Sequence, residues 1–195
     1  MAITYTNRKG TTYTLCQGVT KTGKPRYAFV RDPEGRRVVE EIPGGWEISE
    51  SVNGVVSLVK ARLKKLLPEE IAIVEEAVRR HPKARNYRVN VRSDRIEVYE
   101  MVGPDADDLL SGLKGFGFLP RARKADLQAT LERSAQFTPV LRFILQDEET
   151  RLYLAQRWCY LGSIDDWIHV TTGPVAQLAR RMIPTLGTDG FFDLV

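Results

Sequence analysis

The sequence predicts an α+β protein: a small antiparallel β-meander at the N-terminal end, then a layered region with helices on an antiparallel sheet. Two observations support this fold class. Through residue 60, short runs of β-branched and aromatic residues alternate with turn residues. After residue 60, apolar residues recur first at helical spacing and then at alternate positions. We therefore expect a basic all-β module over residues 1–62 and an α+β domain over residues 63–195, or both segments around one shared core.

Six short strands are predicted before residue 60: Ile3–Thr6, Thr11–Gln17, Arg26–Val30, Arg37–Ile42, Trp46–Ser49 and Val55–Val59. Residues rich in Gly, Pro, Asn and Asp separate them. Asn53-Gly54 predicts a two-residue hairpin turn, because that turn needs positive φ at both positions. We expect the strands to close into a barrel-like module or to pack against a neighbouring element.

The first helix is predicted from Pro68 to about His81, where Pro82 prevents its continuation. Glu69 and Glu70 in its first turn and basic residues in its last turn match the helix dipole. Beyond it we expect a hairpin over residues 87–98, a loop with one helical turn at Asp105–Leu110, and a helix from about Arg123 to Ala135. Three strands (Val140–Gln146, Leu152–Tyr160, Trp167–Val170) and a helix from Pro174 through Met182 complete the prediction.

Composition and cysteine usage indicate a soluble cytoplasmic protein. Hydrophobic residues make up 43% of the chain and charged residues 28%, and no apolar run approaches the roughly 18 residues of a membrane span. The start MAITYTNRKG lacks the apolar segment of a signal peptide. Two cysteines, Cys16 and Cys159, make a poor disulfide framework. We therefore expect no membrane partner.

Positive charge is concentrated at the N-terminal end. Lys and Arg outnumber Asp and Glu by 12 to 6 in residues 1–65, equal them at 12 each in residues 66–133, and fall below them, 5 to 7, in residues 134–195. The first 31 residues contain six bases and no acid: Arg8, Lys9, Lys21, Lys24, Arg26 and Arg31. A field of one sign attracts phosphate or acidic surfaces. We expect an anionic partner to dock there.

The leading hypothesis is a non-enzymatic protein that binds RNA or single-stranded DNA and needs no cofactor. Single strands are bound by rings that stack on bases and by cations that meet phosphates. The candidate residues are Arg8, Lys9, Lys21, Lys24 and Arg26 for phosphates, and Tyr13 or Tyr27 for stacking. The alternative interpretation is structural: Tyr13 shares a strand face with Leu15, so these rings form a core and the cations a solvated rim.

A second hypothesis, a metal-dependent hydrolase or nuclease, comes from the stretch RWCYLGSIDDWIHV. Asp165 and Asp166 could hold Mg²⁺ or act as a base, with His169 beside them. A structural interpretation fits the pattern better, because neighbouring aspartates on a strand point to opposite faces and Ser-Asp stretches shape turns. No zinc site is predicted, since the cysteines and histidines include no closely spaced pair.

A third hypothesis is a protein-interaction adaptor. Phe116 and Phe118 lie in a glycine-containing loop, and the chain carries the hydrophobic stretch Phe191-Phe192-Asp193-Leu194-Val195. Exposed apolar residues of this kind mark partner surfaces. The Gly-Leu-Lys-Gly-Phe-Gly stretch follows no apolar strand, so it does not predict a nucleotide-binding loop.

Four blocks of sequence resemble an uncharacterised family of bacterial proteins: TYTNRKGTTYTL, TKTGKPRYAF, IPGGWEISESVNG and RWCYLGSIDDW. The blocks are specific as a set, and the resemblance covers nearly the whole chain. It implies an order of segments and a bacterial cytoplasmic setting, and no activity, cofactor or catalytic residue. Cys16 replaces a histidine of some relatives, and Val52 replaces a usual proline. Both departures count against a metal or catalytic role at these positions.

Overall fold

The computed structural model describes residues 1–103, 126, 129–131, 133–160 and 165–194. They form three antiparallel sheets and few helices, which is an α+β arrangement dominated by strands. Contacts divide the chain into two compact units: residues 1–62 with 110–135, and residues 63–109 with 136–195. Within 110–135, the described residues 126, 129–131 and 133–135 group with the first unit.

The first unit contains a four-stranded sheet and a separate hairpin. Strand β2 is the centre of the sheet and pairs with the other three strands. The strands are β1 (Thr4–Thr6), β2 (Thr12–Val19), β3 (Pro25–Val30), β4 (Arg37–Val38), β5 (Trp46–Glu50) and β6 (Val56–Lys60), the last two forming the hairpin.

Strand β4 is shorter than the sequence predicts. The sequence pattern predicts a strand that reaches Ile42, but β4 ends at Val38. The reason lies on one edge of β2, where β1 already pairs with residues 12–14 and leaves β4 only Cys16 and Gln17. Residues 39–44 instead form a loop beside the sheet.

The predicted two-residue turn at Asn53-Gly54 is wrong. The amide of Gly54 donates to the Ser51 carbonyl (2.8 Å), and the amide of Ser51 donates to the Val55 carbonyl (2.9 Å), so the loop is longer. Gly54 has φ +77°, whereas Asn53 is not among the described residues with positive φ. After the two-residue loop, one of the next most common hairpin connections is a turn followed by one residue in the left-handed conformation. Glycine adopts that conformation without strain.

Asn7 fixes the turn between β1 and β2. Its side chain is 5% exposed; its amide donates to the Gly54 carbonyl (2.6 Å), and its Oδ1 accepts from the amides of Lys9 (3.1 Å) and Thr11 (2.9 Å). Replacing Asn7 with alanine leaves these groups without partners. We expect the first unit to lose about 2 kcal/mol of unfolding free energy.

Urea denaturation of the Asn7→Ala variant measures this loss. Thr20→Ala is the matched control, because the Thr20 hydroxyl accepts a single backbone bond, from Lys24 (3.0 Å), in an exposed turn. We expect the control to lose under about 1 kcal/mol. Equal losses in the two variants would contradict a supporting role for Asn7.

The second unit is built on a five-stranded sheet in the order β11-β10-β9-β8-β7, with all neighbours antiparallel. Its elements are α1 (Pro68–Arg79), β7 (Tyr87–Val91), β8 (Arg95–Val102), β9 (Gln136–Asp147), β10 (Leu152–Tyr160), β11 (Asp165–Pro174) and α2 (Val175–Met182). Short 3₁₀ turns lie at Ala84–Asn86, Ile183–Thr185 and Asp189–Phe191.

The core of this unit lies between the two helices and one face of the sheet. Helix α1 contributes Val74 and Val78, and α2 contributes Leu178 and Met182. The sheet contributes residues that share one face through the strand register, namely Ile96, Val98, Leu141, Phe143, Leu145, Tyr153 and Ala155. Burial of these side chains is what holds the helices to the sheet.

The predicted helix at 123–135 falls partly on described residues. Residues 126, 129–131, 133 and 134 are helical, and the Ala135 amide donates to the Leu131 carbonyl (2.9 Å). The predicted helical turn at Asp105–Leu110 and the loop with Phe116 and Phe118 lie outside the described residues.

Candidate functional site

The turn between β2 and β3 presents two of the predicted phosphate-binding cations. Within the sequence Thr-Lys-Thr-Gly-Lys, the Gly23 amide donates to the Thr20 carbonyl (2.9 Å), and Gly23 has φ +77°. The side chains of Lys21 and Lys24 are exposed, as is that of Arg26 at the start of β3. Among the described residues, no carboxylate forms an ion pair with any of these three cations.

Arg8 and Lys9 lie in the turn between β1 and β2, where the backbone is tied to other parts of the first unit. The Arg8 amide donates to Glu50 (2.8 Å), and its guanidinium donates to the Ala135 carbonyl (3.2 Å). Glu50 also accepts from the Tyr5 hydroxyl (2.9 Å), and this bond raises the pKa of Tyr5. The Lys9 side chain lies beside Gly54 and is half-buried. These two cations are therefore less available than those of the β2–β3 turn.

The predicted rings and cations do not all share one face of the sheet. Tyr27 pairs with Gln17, whereas the next residue back, Arg26, pairs with Gly18 and so faces the other side. Tyr13 pairs with Tyr5, and the Arg31 guanidinium lies 5.8 Å from the centre of the Tyr13 ring. The stacking residue that remains beside an open groove is Tyr27.

That groove, of about 580 Å³, lies next to β4 and the loop that follows it. The strand register places Arg37, Gln17 and Tyr27 side by side on β4, β2 and β3. Trp46 lies against Tyr27, with ring centres 6.5 Å apart and planes tilted by 52°. The walls also include Glu40 and Glu41. The groove thus combines an aromatic ring, a guanidinium, an amide and two carboxylates.

Arg37 is a site residue that the sequence did not indicate. Arg37 lies outside the acid-free run of residues 1–31, beyond two acids, Asp32 and Glu34. Only the pairing of Arg37 with Gln17 brings it beside Tyr27.

The alternative catalytic residues are spread along β11. Asp165 pairs with Tyr160 and Asp166 with Cys159, so their side chains face opposite sides of the strand. His169 is four residues from Asp165, about 13 Å along a strand. The Asp166 carboxylate accepts from the Trp167 amide (2.7 Å). All three side chains are exposed, and the described part of the chain holds no group of three metal-ligating residues.

A polar row crosses the sheet of the second unit on the face opposite its helices. The register aligns Asn90, Glu97, Arg142, Gln156 and His169 on successive strands. Glu97 is only 6% exposed and accepts from Arg95 (2.7 Å) and Asn90 (2.8 Å). Arg142 donates to Gln156 (2.7 Å) and stacks 4.0 Å above the Trp167 ring. The polar groups of this row mostly satisfy one another.

Comparisons of the chain with models of protein families, with curated proteins and with solved structures find no match. None of the helices in the described residues is both long and apolar enough to cross a bilayer.

Proposed function

We propose that the first unit binds single-stranded nucleic acid, RNA or DNA, at the groove beside Tyr27. One observation supports this most directly. The exposed lysines of the β2–β3 turn have no ion pair among the described residues, and Tyr27 of the same hairpin lines a groove together with Arg37 of β4. Such a combination of cations and a stacking ring suits a single strand, since every base has a flat face.

Each groove residue has a role in this proposal. The Tyr27 ring stacks on one base, and Arg37 meets a phosphate. Gln17, Glu40 and Glu41 offer amide and carboxylate groups to the hydrogen-bonding edge of that base. Lys24 precedes Tyr27 by three residues, about 10 Å along a strand, so the lysines of the turn contact phosphates further along the same strand.

The other predicted binding residues have smaller roles. Arg26 faces away from Tyr27 and contributes through its charge at a distance. The Arg31 guanidinium lies over the Tyr13 ring, 5.8 Å from its centre. The Arg8 guanidinium is bound to the Ala135 carbonyl, and the Lys9 side chain lies beside Gly54. The proposal therefore centres on Tyr27, Lys21 and Lys24, with Arg37 added.

Charge reversal in the β2–β3 turn tests this proposal. We expect a Lys21→Glu/Lys24→Glu variant to bind a mixed-sequence single strand more weakly in fluorescence anisotropy. Each lost phosphate contact should make the slope of log affinity against log salt shallower by about 0.7, so the double variant should lose about 1.4. Tyr27→Ala should lose roughly tenfold or more in affinity through stacking, while Tyr27→Phe keeps its ring and its binding.

The matched control reverses two exposed cations of the second unit, Lys64 and Arg180. It changes the net charge equally and should leave the salt slope as in the parent protein. Two results would contradict the proposal: no binding of the parent protein at low salt, or an equal loss of affinity in the control.

The remaining hypotheses stay predictions. No described contact favours a hydrolase or nuclease built on Asp165, Asp166 and His169. For an adaptor, the structure buries Phe191 in the core and leaves Phe192 exposed, with the rings 5.7 Å apart, so only part of that apolar stretch is available to a partner. A cytoplasmic location is likewise a proposal.

A further inference from the structure

A second basic segment lies in the other unit. Residues 77–93 contain six Lys or Arg residues and no acid: Arg79, Arg80, Lys83, Arg85, Arg88 and Arg92. Glu76 pairs with Arg79 and Arg80, and Arg92 lies 3.7 Å from Glu97. Lys83 and Arg85 are exposed and form no ion pair with the described carboxylates. The segment ends in β7, which is the edge strand of the sheet.

The hydrogen-bond pattern shows which backbone groups β7 directs away from the sheet. The Arg92 amide donates to the Arg95 carbonyl (2.9 Å) where the hairpin closes. Hydrogen-bonded pairs alternate along an antiparallel ladder, so Asn90 and Arg88 bond to β8, while Tyr87, Val89 and Val91 direct their amides and carbonyls outward. The pairing of β8 with β9 agrees, because the Leu145 amide donates to the Asp94 carbonyl (2.9 Å).

Only part of this outward edge is used within the described residues. The Tyr87 amide donates to the Ala84 carbonyl, and its carbonyl accepts from the Arg88 guanidinium (2.8 Å). The outward groups of Val89 and Val91 have no such bond to the described residues. Val91 is 39% exposed. Such an edge can pair with another strand.

A groove of about 430 Å³ runs beside this edge, between β7 and α1. Its floor is apolar and includes Val78, Ala84 and Val89. Its lining also includes three arginines, Arg79, Arg85 and Arg88, and one acid, Glu75. A strand added to β7 would direct alternate side chains toward this groove.

We propose that the edge of β7 binds an extended acidic peptide segment of a partner protein as a sixth strand of the sheet. The outward groups of Val89 and Val91 form the backbone bonds, an apolar side chain enters the groove, and acidic side chains meet the arginines. In this mode of recognition, main-chain bonds provide affinity and pockets for alternate side chains provide specificity. A nucleic acid would use the arginines but neither the backbone groups nor the apolar floor, so the peptide fits more of what is present.

Fluorescence anisotropy with a short labelled peptide of repeated Glu-Glu-Val-Val, which places both glutamate and valine on each face of an extended strand, tests this. We expect the full-length protein to bind it, and an analogue N-methylated at alternate residues, which keeps the charges and lacks the amides, to bind at least tenfold more weakly. Val91→Pro should also weaken binding at least tenfold, because it removes an outward amide and no ladder bond. Arg85→Glu should weaken binding, whereas Arg180→Glu, an exposed reversal on α2, should not.

Three results would overturn the proposal. The first is no binding of the peptide, which would mean that the arginines only protect the edge from aggregation. The second is equal binding of the N-methylated analogue, which would mean an attraction of charges without strand addition. The third is a single-stranded oligonucleotide that displaces the peptide and loses affinity on Arg85→Glu but not on Val91→Pro.

Discussion

Replacing Glu70 with alanine is expected to lower the unfolding free energy of the second unit by about 3 to 5 kcal/mol. Glu70 is only 6% exposed, and its carboxylate accepts from three parts of the unit. Arg151 binds both oxygens (2.8 Å from Nε to Oε1), Tyr153 donates its hydroxyl (2.6 Å), and the Leu67 amide donates at the start of α1 (2.9 Å). Alanine leaves all three donors without their partner.

Thermal and urea unfolding of Glu70→Ala measure this effect. Glu69→Ala is the matched control, because Glu69 lies in the same first turn but is exposed; it should cost at most about 1 kcal/mol. A double-mutant cycle with Arg151→Ala isolates the pair, and strictly additive losses would contradict the coupling. Tyr153→Phe removes one donor and should cost about 1 kcal/mol.

Replacing Glu97 with glutamine is expected to produce the second-largest loss, about 2 to 3 kcal/mol near neutral pH, and the loss should disappear in acid. Burial of Glu97 opposes its ionisation, but hydrogen bonds from Arg95 and Asn90 and the nearby charges outweigh it, so the pKa of Glu97 lies below its ordinary value of 4.5. The native state therefore holds this proton less tightly than the unfolded state. Stability from the carboxylate is fully present above pH 4.5 and declines as pH falls below it.

Urea unfolding of the parent protein and Glu97→Gln across pH 7 to 3 checks this sign. The gap between them should be widest at pH 7 and should close in acid. Glu149→Gln, at an exposed turn position, serves as the control and should track the parent protein at every pH. A gap that stays constant with pH would contradict an ionised Glu97 as the source of the stability.

The bounds of some elements of this fold can be predicted from a short window of sequence. Helix α1 begins at Pro68 and ends at Arg79, as the proline, the flanking charges and the spacing of apolar residues predict. Strand β10 has the predicted bounds, Leu152–Tyr160. In both cases the signals lie within one short window of sequence. Strand β4 depends instead on how much of β2 its competitor β1 occupies, and no local pattern carries that information.

The buried carboxylates show the same limit. In the sequence, Glu70 has the pattern of an ordinary first-turn acid and Glu97 that of a polar residue in an alternating strand. Both are nevertheless buried, by partners far along the chain or across the sheet.

For the candidate sites, the charge pattern of the sequence alone indicates the N-terminal cations. The placement of Arg37 beside Tyr27 follows only from the register of the strands. The basic segment at 77–93 does not stand out in the sequence, because acids on both sides of it balance its charge within the 66–133 window.

The path of the chain between the two units has a consequence for its synthesis on the ribosome. Strands β8 and β9 are neighbours in one sheet, but the helical residues 129–131 and Ala135, which group with residues 1–62, lie between them in sequence. The Ala135 carbonyl, which accepts from Arg8, comes just before β9. Neither unit can therefore finish folding until the polypeptide has been translated past this point. The first unit therefore completes its fold only after β8 has been made, whereas in the usual vectorial order an N-terminal module folds first and alone.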